Sequence, residues 1–161
     1  MVLAVCYFDT RDYDRAIEQF RKSAELASNH IRAYEWLVFS YSLQGRHEEA
    51  IVAAKKIGAV AGSPSRSKAV LGYAYAQAGN LEEARNILEE LRNPQETNLY
   101  TIYYTAILCV ALDELDPAFA LLNKACDERL GPMCQCKVLP LFDNVRSDPR
   151  FQALLRRMGL E

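Results

Sequence analysis

The side chains with the most chemical reach are five cysteines: Cys6, Cys109, Cys126, Cys134 and Cys136. Two of them sit in the stretch Met-Cys-Gln-Cys, a C-x-C pair. Zinc usually takes about four ligands, commonly from C-x2–4-C pairs joined by further Cys or His. The two histidines, His30 and His47, lie far away in sequence. Cys134 and Cys136 are therefore expected to be core or surface thiols, with no metal bound. Cys126 has no neighbouring His to take its proton, so it is not a nucleophile of the thiol–imidazole kind. Glu48-Glu49, Glu82-Glu83 and Glu89-Glu90 are adjacent carboxylates. Acid–base work needs a cleft that separates two pKa values, and these pairs fall on exposed helix faces. Residues 58–63, GAVAGS, lack the Lys-Ser/Thr ending of a phosphate loop, and no strand precedes them. Neither H-E-x-x-H nor G-x-S-x-G occurs. No catalytic residue, cofactor or metal is expected, and the chain does not read as an enzyme.

Half of the residues are hydrophobic and a quarter are charged, the balance of a folded globular chain. The formal net charge is −2 with both signs interspersed, which speaks against nucleic acid or an anionic membrane as partner. No apolar run approaches the roughly 20 residues that span a bilayer. The opening MVLAVCYFDT has no basic n-region. An odd cysteine count with irregular spacing is a poor disulfide framework. Together these features lead to the expectation of a cytoplasmic protein.

The elements that must position everything else announce themselves by period. Ala16, Ala50, Ala84 and Ala118 stand 34 residues apart, and Tyr7, Tyr41 and Tyr75 keep that interval until Cys109 breaks it. GRHEEA at residues 45–50 and GNLEEA at 79–84 are near copies. Self-similarity at this spacing marks a solenoid. Within each copy, stretches such as AYEWLVFSYSLQG and LEEARNILEEL carry apolar residues at intervals of three and four, the helical signature. Each unit is therefore two helices joined by a short turn. The recurring alanine lets the two helices approach closely, and an aromatic fills the groove beside it.

On these residues the chain resembles a tetratricopeptide repeat (TPR) array. The third unit carries Leu71, Gly72, Tyr75, Gly79, Leu81, Ala84 and Leu88. The second carries Tyr34, Leu37, Val38, Tyr41, Gly45, His47, Ala50 and Ala54. The first has Leu3, Ala4, Tyr7, Tyr13, Ala16 and Phe20. The fourth is degenerate, with Ile102, Thr105, Ala106, Cys109, Asp113, Leu115, Ala118, Leu122 and Ala125. The resemblance implies an all-α, right-handed TPR solenoid of about four helix-turn-helix repeats. The units are expected at 1–30, 31–64, 65–98 and 99–130, followed over 131–161 by an extended segment and a C-terminal capping helix. By register Met1 falls at the fifth motif position. The first helix then lacks its opening turn, and the chain is expected to be a fragment, or the last part, of a longer protein; the alternative is a short first helix that frays harmlessly. The face of Leu3, Cys6 and Tyr7 is expected to self-associate or fray.

The tail breaks the period. LGPMCQCKVLP has Gly, Pro and no helical repeat. Asp148-Pro149 is a helix start, with an acidic N-cap and proline at the first helical position. Phe151, Leu154, Leu155 and Met158 then form one apolar stripe, and Gly159 stops the helix. PLFDNVRSDPRFQALLRRMGL is similar to the ending of bacterial multidomain signalling proteins, in which a TPR region follows a class III cyclase, a Ser/Thr kinase or a winged-helix regulator. That resemblance covers about residues 100–160 and implies a C-terminal regulatory domain.

The TPR resemblance also implies a binding surface on the inner face of the first helix of each unit. Transferred to this sequence, it gives Arg32, Glu35, Trp36 and Phe39, then Arg66, Val70, Tyr73 and Gln77, then Tyr100, Tyr103, Tyr104 and Ile107. The expected partner is a protein or peptide held by Arg32, Trp36, Phe39, Arg66, Val70, Tyr73, Tyr103, Tyr104 and Ile107. Aromatics and Arg dominate interface energetics. The alternative is that residues 131–145 of the chain itself cover this face. The carboxylate clamp of chaperone-binding TPR domains is absent in both frames: Met1, Val5, Trp36, Arg66 and Val70 in one, and Glu35, Phe39, Val70, Tyr100 and Tyr104 in the other.

Overall fold

The computed structural model describes residues 1–26, 31–60, 64–92 and 98–160. The first expected unit boundary, at residue 30, and His30 lie outside these, as do the last three residues of GAVAGS. The described residues form nine α-helices and two 3-10 segments, without a strand. The helices are α1 (Val2–Asp9), α2 (Tyr13–Leu26), α3 (Ile31–Leu43), α4 (His47–Val60), α5 (Pro64–Gln77), α6 (Leu81–Arg92), α7 (Leu99–Ala111), α8 (Leu115–Asp127) and α9 (Pro149–Arg157). None is long and apolar enough to cross a membrane.

The first eight helices pair as four antiparallel hairpins, α1–α2, α3–α4, α5–α6 and α7–α8. Each hairpin closes through one backbone bond at the same register: Asp12 to Tyr7, Arg46 to Tyr41, Asn80 to Tyr75 and Glu114 to Cys109, all at 2.9 Å from N–H to carbonyl. This six-to-one closure needs a left-handed residue just before the donor. Gly45 and Gly79 supply it at φ of 76° and 81°, while the outer two units use Arg11 and Asp113 at 61° and 60°. The four repeat alanines are completely buried where the paired helices cross.

Successive hairpins stack, so that α2 lies on α3 and α4 on α5. The third and fourth units meet differently. There α5 lies tightly along α7, and α6 touches α7 only sparingly. Gly72 permits this approach: a Cβ on it would lie 2.7 Å from a Leu108 methyl and 3.0 Å from Ile87.

The tail is not extended as the sequence suggests. Residues Gly131–Gln135 and Pro140–Val145 form two 3-10 segments, each with a proline in its first turn. Proline sets the backbone for such turns and donates no hydrogen bond. Then α9 begins as expected, with the Asp148 carboxylate accepting from the Arg150 N–H at 2.8 Å. Its residues Phe151, Leu154 and Leu155 are buried beside α8. At the opposite end, α1 is only eight residues long. It buries Ala4 and Phe8 and leaves Val2 80% and Leu3 55% exposed.

Ala50→Leu or Ala84→Leu is expected to lower stability by about 1–3 kcal/mol, because the hairpin crossing has no room for a larger side chain. Val52→Leu, on the exposed face of α4, is expected to change it by less than about 0.5 kcal/mol. Urea denaturation of the three variants checks this, and equal midpoints would refute the crossing as the tight point.

Candidate functional site: the concave face

The inner face is built from α3, α5 and α7. Trp36, Phe39, Val70, Tyr73, Tyr103, Tyr104 and Ile107 all lie on it, and all are buried. The structure thus brings seven of the nine expected residues together as a continuous apolar layer. The aromatic rings run through it in contact, mostly edge to face. Phe8 meets Trp36 at 4.9 Å between ring centres, Trp36 meets Phe39 at 6.1 Å, and Phe39 meets both Tyr73 at 5.2 Å and Tyr104 at 6.0 Å. Tyr104 leads to Tyr103 at 5.6 Å.

The series does not stop at the repeats. Tyr103 contacts Phe142 of the second 3-10 segment at 6.4 Å, and Phe142 contacts Phe151 of α9 at 5.5 Å. Leu139, Leu141 and Phe142 are buried over this face. A residual space of about 20 Å³ remains between Trp36, Phe39 and Tyr104 on one side and Leu139 and Leu141 on the other, room for about one water. Residues 131–145 therefore occupy the concave face themselves. Polar ties hold them to the repeats: Asn144 donates to the Val110 carbonyl at 3.2 Å, and Asp143 pairs with Arg11 at 2.5 Å. The last tie joins the tail to the turn of the first hairpin. Within the tail Arg146 donates to the carbonyls of Lys137 and Leu139.

The two arginines part company. Arg32 is exposed and has no ion-pair partner among the described residues. Arg66 is already committed. Its Nε and one terminal nitrogen donate to the two oxygens of Glu35 at 2.6 and 2.8 Å. The Tyr104 hydroxyl donates to the same carboxylate at 2.8 Å, and the guanidinium lies over the rings of Tyr100 and Tyr104. Glu35 is only 1% exposed. Burial lowers the Arg66 pKa, but pairing with Glu35 more than offsets this and holds the guanidinium charged. The expectation that Arg66 orients a partner's carboxylate thus meets a carboxylate from within the chain. Glu35, placed on the inner face by register, was not among the residues expected to hold a partner. Its signal was its place on the inner face, in the unit just before Arg66.

The face offers little chemistry beyond binding. Burial pushes the hydroxyls of Tyr73, Tyr103 and Tyr104 up, with the Glu35 charge adding to Tyr104. Burial also pushes the Cys109 and Cys136 thiols up to about 12. Both stay protonated at neutral pH, which removes them as nucleophiles. Cys136 lies 3.9 Å from the Met133 sulfur, and Cys134 two residues earlier points to solvent. The Tyr103 hydroxyl is buried beside the Cys136 thiol.

Residues 1–57 match the family model described as anaphase-promoting complex, cyclosome, subunit 3, and residues 65–90 match a tetratricopeptide repeat model. No curated protein matches the chain. The two matches, together with the stacked hairpins, support a tetratricopeptide repeat domain, a type of module that generally mediates protein–protein interaction.

Two outcomes are expected. Arg66→Leu leaves the Glu35 charge buried and unpaired, and should cost about 3 kcal/mol or more. Adding Glu35→Leu to it should recover much of that loss, because both charges then leave the interior. Urea denaturation of the single and double variants measures this, and additive losses would contradict it. Second, the buried thiols and tyrosines ionise in the unfolded chain at roughly 8.5 and 10, below their folded values. Their contribution is full below the unfolded pKa and is lost as pH rises through these ranges. Denaturation midpoints should therefore fall from about pH 8.5 upward. A flat profile up to about pH 10.5 would contradict it.

Proposed function

We propose that this tetratricopeptide repeat domain is a non-enzymatic protein-interaction module whose concave face is held by its own residues 131–145, and that a partner peptide or helix gains the face by displacing them. The observation that carries this reading is the contact of Tyr103 with Phe142, through which the aromatic series of the repeats continues into the tail. An intramolecular segment lowers the apparent affinity for a competitor by the fraction of time the face is open. A partner would meet Trp36, Phe39, Val70, Tyr73, Tyr103, Tyr104 and Ile107 as an apolar stripe. Arg32, unlike Arg66, has no ion-pair partner among the described residues and would pair with an acidic or C-terminal carboxylate.

The occupied face supports a regulatory role more than constitutive scaffolding. Its bacterial-type ending suits a C-terminal regulatory domain of a longer signalling enzyme or transcription regulator, with cytoplasmic location favoured by five free thiols. The interspersed charge favours protein over nucleic acid or membrane as partner. The exposed Val2, Leu3 and Cys6 favour self-association through α1.

Leu139→Ala combined with Phe142→Ala weakens the segment's hold without touching the repeats. In a displayed peptide library this variant should bind sequences that the intact chain binds at least about tenfold more weakly. Arg32→Ala should reduce the preference for acidic peptides. Identical binders and affinities for the intact and weakened chains would sink the displacement reading. For α1, light scattering should show concentration-dependent association that Leu3→Glu abolishes, and a monomer at all concentrations would remove that surface.

A further inference from the structure

The register that breaks at Cys109 leaves a space on the opposite, convex side. Between α6 and α8, over α7, lies an open cleft of about 460 Å³. Leu88 and Leu91 of α6, Ile102 of α7 and Leu121 of α8 form its walls, with Cys109 at its base. The matching groove of the second unit is chemically different. It is lined by Tyr34 and Tyr41 and by the charged Arg21, Glu25, Glu48 and Lys56. There the Tyr41 ring carries the Arg46 guanidinium at 4.6 Å. In the fourth unit the same two registers hold Cys109 and Glu114. Glu114 draws Arg92 across from α6 at 3.5 Å, rather than stacking on a ring. The rings of Tyr34 and Tyr41 thus give way to Ile102 and Cys109 in the fourth groove, while Arg92, Glu114 and Lys124 still line it.

We propose that this cleft is a second protein-docking site, one that takes a tyrosine side chain of a partner with an acidic residue beside it. Three observations converge on that chemistry. First, the walls are apolar and the missing group is a tyrosine ring, since the repeat places one at this register in the other three units. Second, Thr101 lines the cleft, is 4% exposed, and its hydroxyl has no hydrogen-bond partner among the described residues. A buried hydroxyl without a partner costs free energy that an incoming phenol hydroxyl would recover. Third, Lys124 at the mouth is exposed and enters no ion pair among the described residues. Arg92 beside it is shared between Glu89 at 3.3 Å and Glu114 at 3.5 Å. Among the described residues the mouth therefore presents Lys124 as an uncommitted cation, which suits an acidic neighbour of the tyrosine.

The site is independent of the concave face, so its test leaves residues 131–145 in place. The probe is the capped tripeptide acetyl-Glu-Tyr-Glu-amide, titrated into the full isotope-labelled chain and followed by NMR. Shifts are expected around Leu88, Ile102, Cys109 and Leu121, and the Phe analogue should bind about tenfold more weakly for want of the hydroxyl. Cys109→Tyr restores the repeat residue, fills the cleft from within and should weaken binding by about tenfold or more. If that variant does not fold, Leu121→Glu, at a half-buried wall position, carries the same test. Absence of shifts, shifts mapping to the concave face, or undiminished binding in the folded variant would overturn the proposal. Equal binding of the Tyr and Phe peptides would overturn the assignment of the phenol.

Discussion

A carboxylate that is almost completely withdrawn from water must be paired, and Glu35 is such a group. Its partners come from far along the chain: Arg66 lies 31 residues on and Tyr104 lies 69 residues on. One side chain in each of three successive hairpins therefore converges on a single point. That point sets how far α3, α5 and α7 can separate, and so sets the tightness of the inner face. The bidentate geometry makes the constraint directional, because guanidinium and carboxylate planes must align. Such a pair adds little net stability over a well-packed apolar cluster. What it adds is discrimination, since any sliding of one unit against the next would strand a charge in the interior.

Around this point the inner face behaves as a core rather than as an open groove. Ring contacts pass from Phe8 in the first unit to Phe151 in the last helix without a gap. An array of this length with that face open would expose a large contiguous aromatic surface, which folded chains rarely tolerate. Residues 131–145 resolve the problem locally. Their 3-10 turns are short enough to follow the curved floor, and Phe142 supplies the ring that continues the series. The Arg11–Asp143 pair is half exposed and contributes little energy. Its significance is geometric, because it marks how far back across the face the tail reaches.

The helices, the hairpins and their order were readable from a period of 34 residues, because alanine and tyrosine recur where helices cross. The N-cap at Asp148 was readable because aspartate before proline has one good use at a helix start. The inner face was readable as a direction but not as a state. Motif register says which way Trp36 and Tyr73 point; it does not say what lies in front of them. Residues 131–145 have no hydrophobic period, so their pattern does not indicate 3-10 turns, and their covering this face stood only as one of two alternatives. The Glu35–Arg66 pair escaped for a related reason. Each residue looked like an ordinary polar position of its own repeat, and only the superhelical stacking brings them within 2.6 Å.

The departures from the repeat carry more information about this chain than its regularities. In the inner units glycine meets the left-handed turn at no cost, while Arg11 and Asp113 occupy the same conformation in the outer units. A non-glycine residue there is disfavoured by about 1 kcal/mol. From that position Arg11 reaches Asp143 of the tail. The fourth unit departs at Cys109 as well, and the loss of that ring coincides with the tight seating of Leu108 against Gly72. Pulling α7 toward α5 on the inner side is geometrically coupled to opening α6 from α7 on the outer side. A hairpin clamped on one face of a stack is splayed on the other, and the residues at the splayed face no longer need the ring that the clamped geometry of the earlier units requires.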